Sequence, residues 1–414
     1  MTRSFVCAII GACCIVGCDA PRVTLDAQGV SVAPGPCGRG LVVVESDYQS
    51  SNVALLGFDG SVLSTSLISS RTESSGFGVA LSGDVVAPSS PQTGRTIALI
   101  DRYPAGVLRF VELASARLVS ELSVATGFKS NPHDYLQLSD SKAYVSRYEA
   151  NPTPGAQPLD AGADVLIVDP SVPAITGRID LSSALAGEPA RFSAHPSQLL
   201  RVGERVFVSL TAYANDYSTS VSSRLLELDT STNTIASTLV LDGLHGCDSL
   251  ALSPDRQQLA ISCTGDRWHD TPPELDGSGL ALIDITDTPR LERSFAASEF
   301  GRNVLGFGLD YASQTAIIFG TLGYFDDAGS ADLLLRFDTQ SGLFDELLRS
   351  DGVPFTLGAV RCAPGCGACF VSDAQREGGS VLRFPLDANG VSTAPTPIRV
   401  ETQIGLPPRY LSVF

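Results

Sequence analysis

Three of the four histidines in this chain fall in short segments of one kind, "NPHD", "HPSQ" and "HGCD", each leading into an apolar run. Aligned on those runs, the segments place Asn131, His195 and His245 at one position, with His133 and Cys247 two residues later. The next position holds Asp134, Gln198 and Asp248, and Arg409 takes the matching place near the end of the chain. Imidazoles and carboxylates gathered at one spot can ligate a divalent metal, or serve as general base and acid in a hydrolysis. The plainer reading is that His-Pro and Asp shape the turns and bond neighbouring backbone. No G-x-S-x-G or H-E-x-x-H spacing accompanies them, and no calcium loop of alternating acids ending in Glu.

A second set of residues suits recognition better than reaction. Long polar stretches at 146–163, 211–222, 264–279 and 321–330 carry Tyr148, Tyr213, Tyr217, the single tryptophan Trp268, His269, Tyr324 and Phe325. Aromatic faces among Asp, Asn and Arg are what surfaces use to hold a protein, peptide or glycan. The alternative is that the rings pack on one another and simply order long loops.

What positions both sets is a repeat. A short apolar strand, a loop, a second apolar strand often ending in Asp, a turn and a third strand recur seven times. The copies start at "LVVVESDYQSSNVALLGFDG" (Leu41), "IALIDRYPAGVLRFVE" (Ile97), "AYVSRY" (Ala143), "VFVSLT" (Val206), "LAISCT" (Leu259), "AIIFGT" (Ala316) and "CFVSDA" (Cys369). Strand-only content at a spacing of about fifty residues is the signature of a β-propeller. Every copy but the first is preceded by another strand: "FGVALSG", "HDYLQLSD", "SQLLRVGE", "DSLALSPD", "GFGLDYAS" and "GAVRCAPG". The first copy lacks one, and "RYLSVF" at 409–414 is left over at the other end. The expectation is an all-β, seven-bladed propeller over 39–414, with four-stranded blades and the first blade closed by the C-terminal strand. In such a ring the inner strands surround a channel. The loops leading into the blades share one face with the loops joining second to third strands, so both residue sets converge near the channel mouth.

Phrases such as "LALSPDRQQLAIS" and "DVLIVDPS" resemble the YVTN repeats of bacterial seven-bladed propellers. The N-terminus carries a different resemblance. Arg3 precedes an apolar run too short to span a bilayer, and the run ends in Ile15-Val16-Gly17-Cys18. This resembles the lipobox of bacterial lipoproteins, which implies a signal peptide at 1–17, lipidation of Cys18, and an anchored protein of the cell envelope, periplasmic or at the outer surface. Residues 18–38, rich in Pro and Gly, read as a flexible tether. The formal net charge of −17 excludes nucleic acid as a partner, so membrane attachment would come from acyl chains. No cofactor is implied, and a monomer is expected. The function these features support is a binding or scaffold module working through its long-loop face. The alternative is a lactonase-like, metal-dependent hydrolase with its site at the channel mouth, and a redox quinoprotein has no supporting residue.

Six cysteines follow Cys18, an even number that suits disulfides in an exported chain. Cys247 and Cys263 lie symmetrically about the turn "SPDRQQ", and Cys362 and Cys369 about "APGCGA", so antiparallel pairing would set each pair face to face. Cys37 and Cys366 remain as a third bridge between the first and last blades. The C-x3-C-x2-C spacing of "CAPGCGAC" also matches an iron–sulfur cluster motif, but a β-hairpin of an exported chain is the wrong setting for one, and hardly better for zinc.

Overall fold

An apolar run such as Leu41-Val42-Val43-Val44 needs cover on both faces, because alternate side chains of a strand point to opposite sides. The fold supplies it by setting sheets radially against one another. Val42 and Val44 pack toward the second blade, while Leu41 and Val43 pack toward the last. The structure, a computed structural model, describes residues 27–72, 80–266, 274–324, 330–351, 355–374, 379–387 and 390–414. These form seven antiparallel blades in a ring, and one apolar cluster fills each of the interfaces between neighbours. The innermost strands of blades 1 to 7 are Pro408–Val413, Val85–Val86, Pro132–Ser139, Pro196–Val202, Cys247–Leu252, Val304–Tyr311 and Leu357–Ala363.

Local chemistry explains the repeat inside each blade. The acid that ends the third strand accepts from the backbone two residues on, as in Asp169 to Ser171 N (2.9 Å), Asp229 to Ser231 N (2.7 Å) and Asp284 to Thr286 N (2.8 Å). Each makes an Asx turn that reverses the chain into the outer strand. In blades 2 to 6 the pairing of third and outer strands then slips once, a bulge that adds twist at the rim.

The ring closes as the repeat requires. Pro408–Val413 pairs with Leu41–Ser46 in the register Leu41 to Val413, Val43 to Leu411 and Val44 to Tyr410. The first blade is therefore built from both ends of the chain, with no open edge between blades 1 and 7. All three expected disulfides are present. Cys247 and Cys263 are direct cross-strand partners, Cys362 and Cys369 likewise, and Cys37–Cys366 ties blade 1 to blade 7 across 329 residues. Every cysteine of "CAPGCGAC" is thus consumed, which removes the cluster and zinc readings. Three disulfides are the chemistry of an extracytoplasmic domain. No described helix is long and apolar enough to cross a membrane.

Two stretches differ from the sequence expectation. The inner strand of blade 2 is Val85–Val86, pairing with Asp101 and Ile100, and not "FGVALSG" at 77–83, part of which lies outside the described residues. The two-residue strand follows from Pro88 and Pro91, which cannot donate to a ladder and end it early. Residues 27–38, expected within a flexible tether, are docked. Gln28 N donates to Ser66 O of blade 1 (2.9 Å) and Val30 N to Leu113 O of blade 2 (2.7 Å), while Ala27 and Val30 pack on the apolar cluster between them. The segment straps the two blades together before Cys37 reaches blade 7. Residues 1–17, expected to be a signal peptide, and Cys18 lie outside the described residues, as do Trp268, His269 and Phe325.

Deleting residues 408–414 strips blade 1 of its inner strand and should abolish cooperative thermal melting followed by circular dichroism. The double substitution of Cys37 and Cys366 by Ser should leave a cooperative transition at lower Tm, having removed on the order of 3 kcal/mol. A truncated chain that melts like the intact one would refute closure by the C-terminal strand.

Candidate functional site

The mouth residues are set by a latch between blades. On the second strand of blades 3, 4, 5 and 7 a fully buried serine follows three apolar residues: Ser146, Ser209, Ser262 and Ser372. Each donates to a carbonyl of the next blade's inner strand, respectively Ser197 O (2.6 Å), Asp248 O (2.9 Å), Gly306 O (3.1 Å) and Arg409 O (3.1 Å). Ser197, Asp248, Gly306 and Arg409 therefore occupy one ring position, and His133, which follows Pro132 as Ser197 follows Pro196, shares it. The left-handed turn residue that leads into the strand is Asn131 (φ 46°), His195 (φ 45°) and Gly246 (φ 61°). "HGCD" is thus offset by one residue from the sequence alignment. Gly246, not His245, matches His195, and Asp248 stands level with His133, not with Asp134.

That offset separates an acid spent on backbone bonds from one that faces the channel. Asp134 is buried and saturated: Oδ1 accepts from Ser89 N (2.9 Å) and Tyr135 N (2.9 Å), and Oδ2 from Ser89 Oγ (2.5 Å) and Leu199 N (2.8 Å). It clamps blades 2, 3 and 4. Gln198 Oε1 does the same for Leu250 N of blade 5 (2.8 Å). Asp248 has no such duty; its carboxyl accepts from Ser249 Oγ (3.0 Å) and faces the channel. Burial raises it from the ordinary 3.8 to about 7, only partly opposed by the Ser249 bonds.

His245 is likewise structural. Its Nδ1 meets Ser220 Oγ at 2.7 Å and its backbone bonds Gly277 and Gly265, so it knits loops together and lines neither mouth cavity. His133 and His195 do reach the mouth region, where the long loops meet them. Tyr148 stacks on His133 with ring centroids 4.0 Å apart and lies 4.8 Å from His195, which also touches Tyr217 (5.3 Å) and Tyr213 (6.5 Å). Desolvation pushes His195 down to about 4, against a smaller opposing effect of the Tyr148 carbonyl, and no ring nitrogen of His195 has a hydrogen bond of good geometry. His133 is held well below the ordinary imidazole range by burial, then by the nearby Arg102 and His195. Its Nδ1 lies 3.4 Å from Ser197 Oγ, too long for an activated nucleophile.

The tyrosines are braced from behind. Arg147 and Asp164, both fully buried, form a two-pronged pair (2.8 and 2.7 Å), and Arg147 also holds the long loop through Leu159 O (2.6 Å). Tyr148 shares a hydrogen bond with Thr211 (2.9 Å), Tyr213 donates to Gly265 O (2.9 Å), and Tyr217 to Glu149 (2.5 Å). Three blades thereby enclose a cavity of about 270 Å³ walled by Tyr148, Tyr213, Tyr217, His133, Asp248 and Asp266. His133, Ser197 and Asp248 form the shared wall between it and the central channel, a cavity of about 450 Å³. Arg409 also lines the channel, and so do Arg102 and Arg361, which sequence reasoning passed over. The signal for Arg361 was an arginine inside an inner strand, "GAVRCAPG", where side chains face a channel; Arg102 sits in the tight loop of "LIDRYPAG". Tyr324 is on the same loop face but lines neither cavity. Among the described residues no group of three His, Cys, Asp or Glu side chains is placed to hold a metal ion.

No family model matches the chain, and no curated protein matches it by sequence. Solved structures share its architecture. The periplasmic gluconolactonase of Pseudomonas aeruginosa is 13% identical, with a TM-score of 0.55 over 90% of this chain and 98% of that one. A Bacteroides fragilis protein described provisionally as a 6-phosphogluconolactonase is 8% identical, with a TM-score of 0.56 over 92% and 99%. Hydrazine synthase of Kuenenia stuttgartiensis is 13% identical, with a TM-score of 0.53 over 75% and 80%. At such identities the likeness is one of fold, and function must be argued from the site.

The Asp248 carboxyl binds its proton more tightly in the folded chain than in the unfolded one. Its contribution to stability therefore falls as pH rises from about 4 to about 7 and is not regained above that. Asp248→Asn should match the wild-type Tm at pH 4 and exceed it at pH 8. Equal pH profiles for the two proteins would show that the carboxylate is well solvated.

Proposed function

We propose that this is a lipid-anchored extracytoplasmic binding protein that captures its ligand on the long-loop face of the propeller. The observation that carries the reading is the aromatic-walled cavity of blades 3 to 5, where three tyrosines and His133 form a concave wall with Asp248 and Asp266 as its acidic groups. Stacking surfaces with fixed polar groups are how sites grip sugar rings and peptide side chains. The long loops of adjacent blades build it, with rings braced by hydrogen bonds, so little ordering cost falls on binding. The acyl anchor rests on "IVGC": Cys18→Ser should abolish incorporation of a fatty-acyl label, and label persisting in that variant would refute it.

Tyr217 is 40% exposed at the rim, which makes it a substitution that spares the core. On glycan and peptide arrays the intact chain should retain a defined ligand class, and Tyr217→Ala should weaken retention by about tenfold at unchanged Tm. Retention indifferent to Tyr217 would sink the assignment of this face. The lactonase-like alternative rests on a neutral His133 and a carboxyl near neutrality, Asp248, sharing one wall. Turnover of a sugar lactone that Asp248→Asn abolishes would replace the binding reading with that one.

A further inference from the structure

We propose that the central channel is a second binding site, one that takes a small molecule bearing an oxyanion, carboxylate or phosphate, between Arg361 and Arg409. It lies across the wall of His133, Ser197 and Asp248 from the tyrosine cavity and stands independently of that cavity's role.

The argument is one of uncompensated charge. Arg102, Arg361 and Arg409 line one cavity of about 450 Å³ in a protein whose formal net charge is −17. Arg102 is neutralised by Asp84 (2.5 Å) and donates to the Tyr410 hydroxyl (3.0 Å). The other two are not. Arg409 donates to the carbonyls of Phe355 (2.9 Å) and Ser46 (3.4 Å) and lies 5.3 Å from the Tyr48 ring centroid. Arg361 donates through Nη1 to the Val360 carbonyl (2.8 Å), and its Nε is buried with no acceptor. Among the described residues neither guanidinium forms an ion pair.

The carboxylates around the channel are spoken for. Asp310 feels the Arg361 charge without contacting it, because its oxygens accept from Tyr311 N (2.8 Å) and Cys362 N (2.8 Å). Asp134 is saturated by four donors, and burial favours the neutral form of Asp248. A buried N–H without an acceptor is costly, and a charged one more so, unless a ligand supplies the missing oxygen. Guanidinium groups meet carboxylate and phosphate through paired N–H bonds, and an enclosed site strengthens them. The ring arrangement explains why the two arginines face one space. Arg409 opens the inner strand of blade 1 and Arg361 lies on that of blade 7, adjacent strands at the closure.

Isothermal titration of the full chain with inorganic phosphate, and separately with citrate, tests the proposal. At least one should bind at a single site with a Kd below about 1 mM, and Arg361→Gln and Arg409→Gln should each weaken it by about tenfold or more. Arg349→Gln, at a surface pair with Glu346, and Tyr217→Ala should leave it unchanged, the latter separating this site from the tyrosine cavity. Binding of phosphate alone would identify a phosphorylated ligand, and of citrate alone a carboxylate. Should a substituted chain fail to fold, the Tm of the unmodified chain still decides: either anion at about 10 mM should raise it over chloride of equal ionic strength. No binding and no rise, or binding that both arginine variants retain, would overturn the proposal.

Discussion

The ring stands on one pairing: six residues at the C-terminus zipped onto Leu41–Ser46. Each blade is a sheet apolar on both faces, stable only with a neighbour on either side. A row of such sheets would leave two apolar faces and a strand edge in water. Closure removes them, and the molecule reinforces the seam with Cys37–Cys366, the strap of residues 27–30, and Ser46 and Ser412, which donate to Gly83 O and Pro88 O of blade 2. These additions tie blade 1, the blade assembled from both ends of the chain, to its two neighbours.

Everything at the mouth inherits its position from that ring. The buried serines Ser146, Ser209, Ser262 and Ser372 hold the inner strands of blades 4, 5, 6 and 1 at a set height on the blade before each. Neighbouring inner-strand residues consequently have opposite fates. One position points between blades, where Asp134 and Gln198 cap backbone N–H groups of the next strand. The position before it points into the channel, where His133, Ser197, Asp248 and Arg409 meet. A shift of one residue in a leading turn exchanges the two, which is how "HGCD" sends its acid to the cavity while "NPHD" spends its own on structure.

The two cavities also differ in chemical character. One is walled by stacked rings whose hydroxyls are bonded to loop backbone and to Thr211 and Glu149. The other is lined by arginines in a strongly acidic protein, where long-range repulsion of anions makes close hydrogen bonding decisive. They share a wall of three residues, His133, Ser197 and Asp248.

The sequence alone determined the architecture, the closure and the two hairpin disulfides, because all are written as periodicity and symmetry: a strand phrase repeated seven times, a leading strand missing at one end and present at the other, cysteines equidistant from turns. The Cys37–Cys366 bridge, 329 residues apart, was decided by the tertiary structure. It also determined that Tyr148, Tyr213 and Tyr217 share a face with His133, since loops of one kind fall on one side of a propeller. What only the tertiary structure decided was the fate of individual polar side chains. His245 binds Ser220, Asp134 clamps three blades, and Arg102 and Arg361 enter the channel, and none of these follows from residue type. Fold depends on a pattern averaged over many residues and survives a misalignment of one. A site depends on which of two faces a single side chain takes, and in a strand one residue of offset reverses that face.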